Sequence, residues 1–366
     1  MAANKTRHLE LDVLRGLSII GVILVHIIGG SFHFWPEGST IWTLFVSMDQ
    51  FFRFSVPLFV FISGYSLYSK YAQNFKYREF YVKRARRILP WYIVWSLIIY
   101  TYIHLTVKPG FIDYPTWKLI FLGKVDYHLY FVSMIFQLYL LFPVLLWLYK
   151  KFRYNFVFVL FVLEATLYLV FTLDGAKIIQ LPWRFYEQQQ YLFFGTWIFY
   201  FVLGFALFEK LTVNAKLKLG KYKFVFPTIT LAILAFSIRD SLHLIWITAD
   251  TNVATRSTRI PLLLYSTSFV ISSLVYSDLL LKMNKYFFKI LLYFANISFL
   301  VYLIHVLVIR ILGNFILPNS IPNLIIFTIL VFSLSIFLAQ LSLSIANLIP
   351  LHKLDINSFF SKKTEA

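Results

Sequence analysis

Residues 11–28, "LDVLRGLSIIGVILVHII", form an apolar stretch that carries three ionisable side chains, Asp12, Arg15 and His26. A helix of about 20 apolar residues is long enough to cross the hydrocarbon core of a bilayer. An ionisable group at the centre of such a helix costs about 2.5–3.5 kcal/mol on insertion scales, so it usually faces a cavity or a partner and marks a function. We therefore predict a membrane helix with one functional polar face.

The composition of the whole chain also indicates a membrane protein. Of its 366 residues, 60% are hydrophobic and 14% are charged, and the mean hydropathy is +0.74. Soluble domains carry about 25% charged residues, so this excess of apolar side chains requires a lipid surrounding. No stretch combines a short apolar core with a small-residue cleavage site, so we expect the first helix to be retained as a span. The chain has no cysteine, which excludes disulfides, thiolate metal sites and a cysteine nucleophile.

Runs of roughly 20 apolar residues predict an all-α, polytopic membrane helical bundle with about ten transmembrane helices. The predicted spans lie near residues 10–30, 42–69, 87–107, 128–149, 155–173, 190–209, 224–241, 260–281, 288–312 and 321–349. The sequence shows no internal repeat, long linker or soluble appendage. We therefore predict a single integral membrane domain over residues 1–366.

The distribution of Lys and Arg predicts the orientation of these spans. With the N-terminus in the cytoplasm, the inner connections carry 23 of these residues and the outer connections carry 9. Excess positive charge on the cytoplasmic side is typical of membrane proteins, so we predict an N-in, C-in topology. The net charge of +18 is then an orientation signal. Its expected partners are the lipid bilayer or a phosphorylated cytosolic ligand rather than nucleic acid.

The spacing of the polar residues in the first span predicts a polar stripe. Arg15 and His26 are eleven positions apart, which on an α-helix is about 20° from whole turns and about 16 Å along the axis. Asp12 lies three residues before Arg15 and can pair with it. Two plainer interpretations stay open: Arg15 can snorkel to the interface, and His26 can make an ordinary hydrogen bond between helices.

Two further stretches carry polar residues at the predicted cytoplasmic side. In "SVPLFVFISGYSLY", residues 55–68, the small residues around Gly64 allow another backbone to approach closely. In "YVKRARRILPWY", residues 81–92, Arg84 and Arg87 are three apart and share a helix face, a geometry suited to phosphate groups. Ordinary positive flanking of a span is the alternative interpretation of this basic cluster.

Two more histidines lie at membrane depth. His128 is at the predicted outer end of the fourth span, and His305 follows Tyr302 inside the ninth. Together with His26 they exceed what packing usually requires. We expect the three rings to lie at different depths, and no carboxylate accompanies them at ligand spacing, so we predict no metal site.

With these stretches together, the chain resembles the acyltransferase-three family of integral membrane O-acyltransferases, which modify sugars and surface polymers. The resemblance rests on six motifs in order between residues 11 and 308, namely "LDVLRGLSIIGVILVH", "SVPLFVFISGY", "KRARRILPWY", "HLYFV", "WIFYFVLGFAL" and "YLIHVL". Arg15 and His26 match the family's arginine and histidine spacing. Two departures are Tyr130, where the family more often has tryptophan, and the lack of the extracytoplasmic hydrolase-like domain that some members carry.

The resemblance implies an acyl-CoA donor, acetyl-CoA above all, bound from the cytoplasm, and transfer to a hydroxyl of an extracytoplasmic carbohydrate such as an exopolysaccharide or cell-wall glycan. His26 would act as general base, with a covalent role as the alternative, and Arg15 would guide or polarise the donor. The coenzyme phosphates would be bound by Arg84, Arg86 and Arg87. The substrate-binding set would be Asp12, Ser63, Tyr65, His128, Tyr302 and His305. The expected location is the bacterial cytoplasmic membrane, beside other polysaccharide-biosynthesis proteins.

Several alternatives stay open at this point. A polysaccharide exporter or lipid-linked sugar flippase would also use many spans with buried charges, although its paired half-repeats are not visible in this sequence. A sensor or scaffold that has kept the fold without the activity is a second alternative. Within acyl transfer, succinyl or another small acyl group is an alternative to acetyl.

Overall fold

The computed structural model describes residues 9–106, 115–179, 187–210, 224–276, 281–282 and 284–348. Within these ranges the protein is helical and contains no strand. Seven helical segments are long and apolar enough to cross a membrane: Leu9–Phe34, Thr40–Tyr71, Tyr77–Thr106, Tyr127–Gly175, Val225–Thr248, Lys285–Gly313 and Ile321–Leu348. The chain is therefore a polytopic all-α protein, as predicted.

The helices are numbered here in chain order. They are α1 Leu9–Ser31, α2 Thr40–Phe52, α3 Ser55–Tyr71, α4 Tyr77–Thr106, α5 Thr116–Leu122, α6 Tyr130–Gly175, α7 Glu187–Leu192, α8 Ile198–Lys210, α9 Val225–Thr248, α10 Thr251–Ala254, α11 Ile260–Val275, α12 Lys285–Gly313 and α13 Ile321–Leu348. Short 3-10 turns occupy Phe32–Phe34, Tyr127–Leu129 and Phe194–Thr196.

Local sequence explains where several of these helices begin. The side chain of Ser39 accepts a hydrogen bond from the backbone N–H of Trp42 at the start of α2. Asn284 does the same for Tyr286 at the start of α12, at 2.9 Å. These caps satisfy backbone donors that the first helical turn leaves without a partner. Proline in the first turn of α11 suits its fixed φ angle.

Each of the ten predicted spans contains a helix in the described residues, but two of these helices are shorter than a full crossing. The predicted fourth and fifth spans are the two helical parts of α6, which are separated by the non-helical backbone of Arg153 with φ 51° and ψ −128°. At this break, Arg153 forms an ion pair of 2.6 Å with Glu209. Helices α8 and α11 have 13 and 16 residues, fewer than the roughly 20 of a full crossing.

The count of ten and the N-in, C-in orientation therefore stay predictions. Lys5, Arg7, residues 211–223 and the tail from residue 349, which contribute to the charge count, lie outside the described residues. Helices α1 and α12 run in the same direction, because Gly16 meets Leu291 and His26 meets His305. That direction agrees with a topology in which the first and ninth spans cross the same way.

Two pairs of helices approach each other closely at glycine residues. A Cβ atom on Gly64 of α3 would overlap the carbonyl of Phe201 on α8, and one on Gly16 of α1 would overlap that of Leu291 on α12. Small residues at such crossings let helices pack tightly in lipid. The predicted close approach at Gly64 is confirmed. These crossings pair α1 with α12 and α3 with α8.

Candidate active site

A cavity of about 320 Å³ opens between α1, α3, α4, α6 and α12. One part of its wall is basic, with Arg15 from α1, Lys70 from α3, and Arg84 and Arg87 from α4. The rest of the wall is mainly apolar and aromatic. Pockets of this kind, mostly apolar with a few convergent polar groups, are the usual form of small-molecule sites.

Arg15 is held in the cavity wall by the predicted pair with Asp12. The Arg15 guanidinium donates to the Asp12 carboxylate at 2.8 Å, and the two side chains are 24% and 15% exposed. Asp12 itself does not line the cavity. The pairing confirms the i, i+3 prediction and leaves Asp12 as a support for Arg15.

Arg84 and Arg87 both face the cavity, as their spacing predicts. The Arg84 guanidinium lies 5.5 Å and 5.7 Å from the ring centroids of Tyr139 and Phe80, and its buried Nε has no hydrogen-bond partner among the described residues. Arg87 interacts electrostatically with both Arg84 and Arg15. Arg86 is exposed and does not line the cavity, so the structure brings together two of the three predicted phosphate-binding arginines.

The two α3 candidates separate in the same way. Ser63 lines the cavity. Tyr65 is buried on another face of α3, where its ring lies 5.2 Å from that of Phe208 on α8. Its place is therefore in helix packing rather than in the cavity wall.

Tyr302 connects the cavity to a cluster of histidines. Its side chain lines the cavity, its ring centroid lies 5.7 Å from His128 and 5.9 Å from His305, and its hydroxyl donates to the backbone carbonyl of His128. The rings of His26 and His305 are 5.2 Å apart, and so are those of His128 and His305. The cavity with its basic residues and the three histidines are therefore connected through the side chain of Tyr302.

The expectation that the three histidines lie at different depths is wrong. His128 belongs to the 3-10 turn Tyr127–Leu129, which folds into the bundle against α12 instead of ending at its rim, so the ring is only 1% exposed. Tyr127 of the same turn places its ring 5.2 Å from His26. Within the described ranges, no group of three or more His, Asp or Glu side chains is arranged to hold a metal ion.

The comparisons with known proteins agree with this geometry. The sequence matches the model of a family described as an acyltransferase domain, Acyl_transf_3, over residues 8–342. The chain belongs to this acyltransferase family. No curated protein and no solved structure matches it significantly.

For an acyltransferase, the chemically important feature is that His26 is half-buried while His128 and His305 are fully buried. Imidazole is a general base that works near neutral pH, provided that the acceptor can reach it. Of the three residues, His26 is the one that is not fully buried, and it lies beside the cavity rather than in its wall. Arg15, in the basic part of the cavity wall of this acyltransferase, lies about 16 Å from His26 along α1.

Sequence reasoning missed the ion pair that fixes this cluster. Arg310 donates two hydrogen bonds to Asp126, at 2.8 Å and 2.7 Å, and its guanidinium lies 5.7 Å from the Tyr127 ring. In the sequence, Arg310 is only one of the nine basic residues in the predicted outer connections. A usable signal was present, because Asp126 lies two residues before His128 and Arg310 five residues after His305.

A second polar network surrounds the junction of α2 and α3. Arg53 donates to both oxygens of Asp49 at 2.9 Å, and it interacts electrostatically with His26. Arg259, in the connection before α11, donates to Asp240 at 2.5 Å and to Gln50 at 2.8 Å. Burial lowers the pKa of Arg259 to about 10, against the opposing effect of Asp240, so the guanidinium is still charged at neutral pH.

Proposed function

We propose that this acyltransferase moves an acyl group, acetyl above all, from cytoplasmic acyl-CoA to a hydroxyl of an extracytoplasmic carbohydrate. The acceptor class is an exopolysaccharide or cell-wall glycan, and the setting is the bacterial cytoplasmic membrane with one catalytic domain over residues 1–366. The observation that carries the proposal is the continuous series from the basic cavity through Tyr302 to the histidine cluster.

The donor side is supported by the charge of the cavity. Arg84 and Lys70 form no ion pair within the described part of the chain, and Arg87 lies close to two other guanidinium groups. Such a concentration of positive charge suits a polyanion, and guanidinium groups bind phosphates with paired hydrogen bonds. Coenzyme A carries phosphates at one end and a long thioester arm at the other. The phosphates suit the basic part of the cavity wall, and the thioester arm suits its apolar part.

The acceptor side is supported by the position of His26. In the proposed step, His26 removes the proton of an acceptor hydroxyl, and the oxygen attacks the thioester carbonyl carbon. The new C–O bond forms as the C–S bond breaks, and the departing thiolate takes the proton from His26. The acceptor gains an ester, free coenzyme A leaves, and His26 returns to its starting state without a covalent intermediate.

The proposal is tested with purified protein in liposomes, radiolabelled acetyl-CoA and a crude envelope-glycan fraction, with wild type beside His26→Ala. We expect label on the glycan and release of free coenzyme A with wild type, and a loss of about 10²–10⁴-fold in the variant, the usual contribution of a general base. A folded His26→Ala protein with full transfer removes the assignment of His26. Glycan or lipid-linked sugar crossing the bilayer without release of coenzyme A favours a flippase instead.

A further inference from the structure

His305 is the member of the histidine cluster whose hydrogen bonds define which nitrogen carries the proton. Its Nδ1 lies 2.8 Å from the carbonyl oxygen of Tyr302 and 3.2 Å from that of Val301. A carbonyl oxygen only accepts, so Nδ1 carries the hydrogen and donates it. What the ring can bind then depends on whether Nε2 also carries a hydrogen.

Nε2 of His305 is a bare acceptor. The ring is fully buried, and a buried imidazolium is costly unless a carboxylate compensates it. The carboxylate that interacts with His305 is Asp126, which already accepts two hydrogen bonds from Arg310. His305 is therefore neutral, and its Nε2 lone pair has no hydrogen-bond partner among the described residues. A buried acceptor of this kind requires a donor.

The neighbouring rings show which donor is available. His128 donates its Nε2 hydrogen to the carbonyl of Leu303 at 3.3 Å, so its Nδ1 is an acceptor like Nε2 of His305. The hydroxyl of Tyr302 is committed to the backbone carbonyl of His128. His26 is the third ring beside His305, at 5.2 Å and an interplanar angle of 36°, and it forms no hydrogen bond within the described ranges. A ring-centroid separation of 5.2 Å leaves room for an N–H···N hydrogen bond between two imidazole rings.

We propose that His305 is a positioning residue for His26: its Nε2 accepts the N–H of His26, which presents the other nitrogen of His26 as a bare lone pair to the acceptor hydroxyl. This inference rests on the proposed function, in which His26 is the base. A histidine that acts as base must hold its hydrogen on the nitrogen that faces away from the acceptor, and a fixed acceptor on that side selects this tautomer. His305 never contacts the acceptor or the thioester.

The test compares three variants at His305 that differ in where a polar atom is kept. His305→Leu removes both ring nitrogens, His305→Asn keeps polar atoms near Nδ1, and His305→Gln places an amide oxygen near Nε2. We expect kcat for acetyl transfer to fall about 10- to 100-fold in His305→Leu, part of the about 10²–10⁴-fold that a general base contributes. The KM for acetyl-CoA should stay unchanged, and His305→Gln should retain more activity than His305→Asn. His243→Leu, at an exposed position on α9, is the matched histidine control.

A double-mutant cycle separates positioning from a structural role. If His305 acts through His26, then adding His305→Leu to His26→Ala causes no further loss of activity. Additive losses, or a rise in KM for acetyl-CoA equal to the fall in kcat, overturn the proposal. If His305→Leu does not fold, the comparison of Gln with Asn decides, and equal or greater activity of His305→Asn overturns it. Active wild type with fully active His305 variants contradicts only this inference, whereas inactive wild type overturns the proposed function as well.

Discussion

The two ends of the bundle both contain several arginines, but they differ in what surrounds each guanidinium. At the end that the predicted topology places outside, Arg53, Arg259 and Arg310 each donate to a carboxylate, those of Asp49, Asp240 and Asp126 respectively, and these are called the outer pairs. At the inner cavity, Arg84 is surrounded by aromatic rings, and Arg87 lies beside other positive charges. At one end a carboxylate balances each of the three guanidinium groups, whereas in the cavity wall Arg15 is paired with Asp12 and Arg84 has no ion pair among the described residues.

This difference indicates two uses of the same side chain. A buried ion pair is costly to break, because one charge is left without a partner in a low-dielectric surrounding. The outer pairs therefore act as fixed ties, and the tie between Arg310 and Asp126 holds the Tyr127–Leu129 turn against α12. Guanidinium groups that repel one another in an apolar wall are stabilised when an anion binds between them. The inner arginines are thus suited to a ligand.

The largest effect, on the free energy of unfolding, should come from removing one of the outer ion pairs. In Arg310→Met the Asp126 side chain, which is 1% exposed, loses both of its ion-pair hydrogen bonds. We expect a loss of about 3 kcal/mol in unfolding free energy, at the low end for a buried pair because Arg310 is itself 38% exposed. Thermal unfolding in detergent measures the effect. The variant Asp126→Asn with Arg310→Met should lose less than the sum of the two single changes, and simple additivity would contradict the tie.

At the basic cavity, we expect mutations to change substrate binding and not stability. Arg84→Gln and Arg87→Gln should each raise the KM for acetyl-CoA about tenfold or more, because a hydrogen bond to a charged group contributes about 1.5–3 kcal/mol. The unfolding temperature should not fall, because each change relieves repulsion. The exposed Arg78→Gln, in the first turn of α4, is the control. If KM is unchanged and the unfolding temperature falls, these arginines stabilise the fold, as the outer ion pairs do, and do not bind the donor.

Much of this contrast could be predicted from the sequence. Apolar length predicts the helices, and i, i+3 spacing predicts both the Asp12–Arg15 pair and the shared face of Arg84 and Arg87. Gly64 predicts a close crossing, which α8 fulfils. These features depend on residues that are near in the chain, where helical geometry fixes the relation between side chains.

The rest depends on contacts that helical spacing does not determine. The meeting of His26 with His305 requires α1 and α12 to pack in parallel, and His128 reaches them only because the turn before α6 folds inward. The break in α6 at Arg153 falls between the predicted fourth and fifth spans, as apolar length indicates, but the ion pair of Arg153 with Glu209, more than fifty residues away, is not predicted by helical spacing.

The smallest expected effect is that of salt, and it sharpens the same comparison without any mutation. The Debye length falls from about 10 Å at 0.1 M salt to about 3 Å at 1 M, so attraction between the cavity and a polyanionic donor weakens. We expect the KM for acetyl-CoA to rise a few-fold over this range while kcat and the unfolding temperature stay nearly constant. The outer pairs should be insensitive because their carboxylates, above all Asp49 and Asp126, are buried and screened little. Arg84→Gln should show a weaker salt dependence of KM than wild type, since one of the screened charges is gone. If salt lowers the unfolding temperature and leaves KM unchanged, then the outer ion pairs are the screened charges and the cavity arginines do not attract the donor. That result would contradict the comparison.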